Sequence, residues 1–348
     1  MNWTLFFVFV VVLGLLPVVW PDPYVLSVMG SAGIMIIAAI SLNLLLGYTG
    51  QLSLGHAAFF GIGAYTSALM SLGFSVDLGF GLTWQVDAKP VWIAFLTAIV
   101  VTGFFGWLVG KLAFKVRGAY FVVITISFAQ VMRMISLNWT DLTEGPMGLI
   151  SIPALTLWVP GEGVISLTSK AAIYWLVLAI GILAYLLVAM LVNSRQGRAM
   201  IALRENETLA TSVGIPVTYF LALATIISAA IAGAAGGLYS HTVRIIDPDV
   251  FLFIYTVTMV IMVIAGGKGT LGGPVIGGLI FGLMPELLRG VVGPEVQWVI
   301  YGVTMIAILL FLPRGLVPAF YDFIAWLRKP GAEQPRKSKS SLVQGANS

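Results

Sequence analysis

Cysteine is absent from this chain of 348 residues, and histidine occurs only twice. Without cysteine, neither a disulfide bond nor a thiolate metal site can form. The two histidines, His56 and His241, stand far apart, and neither lies in a spacing typical of zinc ligands. No Ser–His–Asp set or other nucleophile–base pattern is evident. We therefore expect no catalytic residue, no metal and no cofactor in this chain.

Charge is also scarce, because Asp, Glu, Lys and Arg together make up only 9% of the residues. Soluble domains are about 25% charged, since they need a polar surface. Here 59% of the residues are hydrophobic and the mean hydropathy is +1.02, which indicates that lipid surrounds most of the chain. The 39 glycines suit closely packed helices in a membrane.

Ten apolar stretches are long enough to cross a bilayer, at about 20 residues per crossing. Backbone groups in lipid must be paired internally, so these stretches are helices or buried re-entrant segments. The sequence therefore predicts an all-α integral membrane protein, a polytopic helical bundle with about ten transmembrane segments. Whether 51–73 spans or re-enters stays open. The stretches are 4–20, 24–46, 51–73, 91–113, 118–137, 171–192, 217–240, 250–266, 270–289 and 295–312.

The basic residues predict the orientation, because Lys and Arg concentrate in cytoplasmic loops. With both termini inside, 13 of the 18 basic residues fall on the cytoplasmic side. We expect a transmembrane domain over 1–317 with a long cytoplasmic loop at 193–216. The polar, basic end over 318–348 is expected to be cytoplasmic, and disordered from about residue 330. The 13 residues are Lys111, Lys115, Arg117, Arg195, Arg198, Arg204, Lys268, Arg314, Arg328, Lys329, Arg336, Lys337 and Lys339.

Polar side chains cluster where the second apolar stretch meets the third, at Asn43, Gln51, Ser53 and His56. Two interpretations stay open. Polar side chains in helical bundles often bond to neighbouring backbone and hold helices together. Alternatively, they line a path for a solute, because polar residues within membrane segments mark transport pathways.

The fifth stretch carries Gln130 and Arg133, three residues apart. Arg133 lies near the outer end, where an arginine can reach the membrane surface with its long side chain. It could equally face the interior of the bundle with Gln130 and line a path. Glu286 in the ninth stretch could pair with Arg289, one helical turn away.

The loop 193–216 is the longest polar stretch between helices on the predicted cytoplasmic side. From Gln196 to Ala210 it contains no proline, so we expect one short surface helix that bears Arg204, Glu205, Asn206 and Glu207. The helix is either a solvated connector or a docking element for a cytoplasmic partner.

Gly266 to Thr270 resembles a phosphate-binding loop, but the Walker A spacing fails. Position 262 is Met, and Gly269 replaces the Ser or Thr that must follow the lysine. The segment therefore does not predict ATP binding. The following Thr270-Leu271-Gly272 faintly repeats Ser53-Leu54-Gly55, which hints at an internal repeat.

Three blocks resemble the branched-chain amino acid ABC transporter permeases of the LivM type. They are SLNLLLGYTGQLSLGHAAFFGIGAYTSALM (41–70), GRAMIALRENETLATSVGIPVTYFLALATIISAAIAGAAGGLYSH (197–241) and IAGGKGTLGGPVIGGLIFGLMPELL (264–288). They come in the family's order, and the resemblance covers about residues 25–315. Urea and short-chain amide permeases are closely similar, so this substrate class stays an alternative.

The resemblance implies a multi-pass importer subunit in the bacterial inner membrane, not itself an enzyme. It implies a LivH-like sister permease, two cytoplasmic ABC ATPases and an extracytoplasmic solute-binding protein as partners. External acidic loops, including Asp247 and Asp249, would face the binding protein. A secondary transporter is less expected, because Glu286 is the one carboxylate in or near a predicted span. The residues that match the family's ATPase-coupling loop are Gly197, Arg204, Glu205, Asn206 and Glu207.

Overall fold

The computed structural model describes residues 3–77, 83–113, 119–159, 163–289 and 292–328. The statements below concern these residues. Lys115 and Arg117, two of the basic residues that predict the orientation, lie outside them. So does the segment 329–348, on which the expectation of a disordered end falls.

Helices dominate the described residues. The α-helices are α1 (Trp3–Val19), α2 (Pro23–Asn43), α3 (His56–Leu72), α4 (Val91–Ala113), α5 (Ala119–Asn138), α6 (Thr140–Thr143), α7 (Lys170–Asn193), α8 (Arg195–Glu205), α9 (Glu207–Ser212), α10 (Val217–Val243), α11 (Phe253–Gly266), α12 (Gly273–Leu288), α13 (Pro294–Phe311) and α14 (Leu316–Arg328). A π-helix continues α2, and two 3₁₀ turns lie in loops. These are Leu44–Thr49, Gly145–Met147 and Pro248–Phe251.

Each of the ten predicted apolar stretches contains one helix, with ends within a few residues of those expected. Six windows among the described residues are long and apolar enough to cross a membrane. The predicted count of ten crossings is therefore not confirmed, whereas a helical architecture with several spans is. The six windows are Pro23–Thr49, Val91–Lys111, Tyr120–Asn138, Lys170–Asn193, Val217–Val243 and Val299–Asp322.

Helix α10 lies at the centre of the bundle and packs against α2, α3 and α4. Small residues allow this close approach. A Cβ at Gly236 would collide with the backbone carbonyl of Phe60 in α3, and one at Gly233 would collide with Thr102 in α4. Two turns earlier in α10, the Ser228 hydroxyl donates a hydrogen bond to the Ser41 carbonyl oxygen of α2 at 2.5 Å. Helix α2 in turn packs against α7, α11 and α12.

Two short antiparallel hairpins interrupt the helical architecture. Strands β1 (Phe74–Asp77) and β2 (Thr83–Val86) lie between α3 and α4, whereas β3 (Thr156–Val159) and β4 (Gly163–Ser166) precede α7. The sequence did not predict them, because a strand of four residues is too short to show a clear alternating pattern. Both hairpins lie in loops on the side predicted to be external.

The chain end contains one more helix than expected. Helix α14 follows a turn at Gly315, where φ is +89°. It packs against α11 and α12. The segment expected to be a cytoplasmic end therefore begins as an ordered helix.

Candidate functional site

The loop 193–216 forms two helices, where one was expected. The Ser194 hydroxyl caps α8 by accepting hydrogen bonds from the amides of Gln196 at 3.1 Å and Gly197 at 3.3 Å. At Asn206 the backbone leaves the helix with a φ of −157°. Its side-chain oxygen then accepts from the Leu209 amide at 2.9 Å and caps α9. The single-helix expectation was wrong at Asn206, because asparagine competes for backbone donors and favours helix starts.

Gly197 fixes how α8 folds back on the end of α7. The residue is buried, and a Cβ there would collide with the Val192 backbone carbonyl. Only glycine permits this close approach without a shift of the backbone. Gly197 therefore sets the direction of α8 rather than presenting a side chain to a partner.

Arg204 lies near the end of α8, and its guanidinium extends toward the π-helix. Its Nη1 donates to the Gly47 carbonyl oxygen at 2.6 Å. Nε and Nη2 donate to Glu205 Oε1 at 3.1 and 2.5 Å. The Arg204 side chain is 33% exposed, whereas that of Glu205 is 67% exposed. The Arg204 side chain is therefore partly exposed but reaches the helical bundle through Nη1, whereas Glu205 faces outward.

Three glycines surround the Arg204 side chain, and we call Gly47, Gly50 and Gly269 the glycine socket. A Cβ at Gly50 would lie 3.1 Å from Arg204 Cγ, and one at Gly269 would lie 2.6 Å from Arg204 Nη1. Gly50 and Gly269 have φ values of +75° and +74°, which favour glycine. The glycine socket thus joins the π-helix to the turn between α11 and α12.

Asn43 bridges the same two segments. Its Nδ2 donates to the Thr270 carbonyl oxygen at 2.9 Å, and its Oδ1 accepts from the Gly269 amide at 3.0 Å. The residue is 2% exposed. In this structure its amide pairs with backbone, as one of the two sequence interpretations expected.

Ser53 and His56 are both fully buried. Gln51, which follows the π-helix and precedes Ser53, is half-buried. The Ser41 hydroxyl donates to the Ala38 carbonyl oxygen at 2.6 Å, so His56 Nε2 must be the donor in its 2.7 Å contact with Ser41 Oγ. Among the described residues, Ser53 Oγ and His56 Nδ1 have no hydrogen-bond partner.

Gln130 and Arg133 lie in α5, away from the glycine socket. Arg133 Nη2 donates to Asp249 Oδ1 at 2.9 Å, which ties α5 to the turn Pro248–Phe251. Its side chain is 28% exposed. Gln130 is exposed, as is Ser127 one turn before it. The predicted pair of Glu286 and Arg289 is confirmed, with a separation of 3.2 Å.

The structure therefore divides the candidate residues into two groups. Asn43, Arg204 and their neighbours meet at one end of the bundle, whereas Gln130 and Arg133 lie on a different helix near the other. Gly47, Gly269 and Thr270 were not predicted from the sequence as members of the first group. For Gly269 and Thr270, the available signal was the faint repeat of a Gly-containing turn after the second and the eighth apolar stretches.

Comparison with known proteins gives the family. A family model described as "Branched-chain amino acid transport system / permease component" matches residues 24–309. The chain belongs to this family. The match covers most of the chain, as the sequence resemblance predicted. Membership in this permease family, together with six windows of spanning length, makes the chain a multi-pass membrane protein.

Relatives of the permease family include both types of subunit. The LivM permease of Salmonella typhimurium is 29% identical over 309 residues, which cover 82% of this chain and 68% of the relative. The probable LivM permease of Methanocaldococcus jannaschii is 27% identical over 347 residues, covering 90% and 96%. The LivH permease of Salmonella typhimurium is 29% identical over 285 residues, covering 80% and 89%. No solved structure matches the chain. The LivM-type resemblance is thereby confirmed.

Proposed function

We propose that this chain is a membrane-spanning subunit of an ATP-binding-cassette importer for branched-chain amino acids in the bacterial inner membrane. Its partners are a LivH-like sister permease, two cytoplasmic ABC ATPases and an extracytoplasmic solute-binding protein. The observation that carries the proposal is the permease-family match over 24–309. The chain itself then transports without catalysing a reaction, and ATP hydrolysis belongs to its partners.

The outer faces of α8 and α9 suit a contact with the ATPases. Leu209 and Val213 are 62% and 69% exposed, although both are apolar. They are four residues apart, which brings side chains to the same face of a helical segment. Exposed apolar groups rimmed by polar residues often mark protein interfaces. We infer that Leu209 and Val213 enter a groove on an ATPase, with Glu205 and Glu207 beside them.

The exposed face of α5 suits the translocation path. Ser127 and Gln130 lie on this face between the exposed apolar residues Val123 and Met134. A polar side chain that faces lipid is costly, so such residues usually face a water-filled cavity or a neighbouring subunit. We infer that this face meets the sister permease and lines the path with Arg133. Asn43, Ser53 and His56 are buried within the single chain, and we assign them to packing beside the half-buried Gln51.

The test is uptake of radiolabelled leucine into proteoliposomes that hold this chain, its sister permease and the ATPases. The binding protein is added outside and ATP is enclosed inside. Uptake that requires both ATP and the binding protein supports the proposal. ATP-dependent uptake of urea or a short-chain amide, without leucine uptake, would change the substrate class. Leucine uptake by this chain alone under an ion gradient would contradict the importer mechanism.

A further inference from the structure

Two turns of similar sequence connect helices at the same end of the bundle. The first reads Gly50-Gln51-Leu52-Ser53-Leu54-Gly55 and precedes α3, whereas the second reads Gly267-Lys268-Gly269-Thr270-Leu271-Gly272 and precedes α12. Both follow the pattern G-x-x-[S/T]-L-G, and both start with a glycine of positive φ. The two turns thus hold equivalent places in two helix pairs.

Arg204 is in contact with both turns. Its Nη1 bonds to the Gly47 carbonyl oxygen just before the first turn, and the same nitrogen lies beside Gly269 of the second. Asn43, in the helix that leads to the first turn, bonds to Gly269 and Thr270 of the second. A displacement of α8 must therefore press on both turns at once, since the two turns are joined through Arg204 and Asn43.

The segment that receives Arg204 has an unusual backbone. Residues Leu44–Thr49 form a π-helix, a rare conformation that is frequently found at functional sites. It ends at Gly50, whose left-handed conformation stops the helix. The Arg204 bond is made to a carbonyl within this segment, so a force on Arg204 acts on backbone that need not keep the regular α-helical pairing.

We propose that Arg204 is the positioning residue that transmits movement of the cytoplasmic loop to α3 and α12, acting through the glycine socket. This inference rests on the proposed importer function. It gives the two sides of the loop different tasks. The exposed side, with Leu209 and Val213, contacts the ATPase, and Arg204 on the inner side moves the two turns.

The absence of cysteine allows a direct test. Spin labels are attached to cysteines that replace Thr208 and Lys268, which are both exposed and lie outside the proposed apolar contact. The distance between the labels is measured by pulsed electron resonance in the full transporter, with and without bound ATP. In the otherwise unchanged chain we expect the same distance in both states, because loop and turn move together.

The variant Arg204→Gln removes the link and leaves the exposed side of the loop intact. We expect the label distance to change on ATP binding and solute-stimulated ATP hydrolysis to fall at least tenfold, while basal hydrolysis persists. Gly269→Ala, which places a methyl group against Arg204 Nη1, is expected to give the same result. Arg198→Gln, an exposed arginine of the same helix outside the glycine socket, is the matched control and should behave as the unchanged chain.

Three results would overturn the inference. The first is an ATP-dependent change of the label distance in the chain with Arg204 present. The second is normal stimulation in both Arg204→Gln and Gly269→Ala. The third is loss of stimulation in Arg204→Gln at an unaltered label distance, which would place its effect on the ATPase contact. Failure of the transporter with Arg204 present to take up leucine, urea or a short-chain amide would instead contradict the proposed importer function.

Discussion

The central helix α10 makes a quantitative prediction possible, because two glycines at its contacts differ sharply in the space around them. A Cβ at Gly236 would overlap the Phe60 carbonyl oxygen, a backbone atom that cannot rotate away. A Cβ at Gly103 in α4 would lie 3.7 Å from the Ala230 methyl group of α10, an ordinary contact. Both glycines are buried inside helices, so Gly→Ala changes the same chemistry at the two sites.

The two substitutions should change the stability of the protein differently. Replacing glycine with alanine inside a helix stabilises the helix by about 1 kcal/mol. Overpacking typically costs about 1–3 kcal/mol and sometimes more. The Phe60 carbonyl can move away only if α3 moves. We therefore expect the overpacking cost at Gly236 to lie at the upper end of that range. Gly236→Ala should therefore destabilise by about 2 kcal/mol, whereas Gly103→Ala should be neutral or stabilise by up to about 1 kcal/mol.

The assay is thermal unfolding of the detergent-solubilised protein, followed by the intrinsic fluorescence of its ten tryptophans. A change of 1 kcal/mol shifts Tm by roughly 2–4 °C in domains of 150–250 residues, and by less in longer chains. Gly236→Ala should therefore lower the apparent Tm by a few degrees, and Gly103→Ala should not lower it. Equal Tm values for the two variants would refute the assignment of α10 packing, because helix propensity alone cannot separate them.

Three further predictions concern the loop and α5. Asn206→Ala removes the cap of α9 and should cost about 1 kcal/mol of local stability. The loss should appear as faster hydrogen exchange at the amides of α9, and unchanged exchange would contradict the capping assignment. Leu209→Glu should weaken co-purification of the ATPases at least tenfold, because it would put a charge into the proposed apolar contact. Thr208→Glu, at a neighbouring exposed position, is the control. An equal loss in that variant would contradict a contact specific to Leu209. Arg133→Gln should lower leucine uptake at least fivefold. It should lower the free energy of unfolding by no more than about 1 kcal/mol, since the pair with Asp249 is partly exposed. Retained uptake would contradict the assignment of Arg133 to the path.

The helices could be located well from the sequence, and the reason is the membrane itself. Lipid requires long apolar segments with internally paired backbone, so each stretch such as 91–113 or 171–192 indicates one helix. The break at Asn206 was also accessible, because asparagine before Glu207 is a typical helix start. The hairpin of Phe74–Asp77 with Thr83–Val86 was not, since its short strands are held by contacts that a local pattern does not encode.

The candidate residues were harder to predict than the helices. The sequence could show that Asn43 and Arg204 are polar residues near predicted helix ends, but not which way their side chains point. The direction of each side chain depends on which carbonyl oxygens lie within reach. Arg204 bonds to Gly47, 157 residues away along the chain, and Asn43 bonds to Thr270, 227 residues away. The π-helix at Leu44–Thr49 has no distinct sequence signal, because its apolar residues fit an α-helix equally well.

The glycine socket has a consequence for building hybrid transporters. Arg204 and the glycines of the glycine socket come from three separate parts of the sequence. An exchange of the loop 193–216 alone therefore tests whether the arginine of another permease fits the glycine socket of this chain. A donor loop that shortens the helix before this position by one residue would turn the guanidinium by about 100° and leave it outside. Chimeras that transplant the loop together with both turns should therefore assemble more often than those that transplant the loop alone.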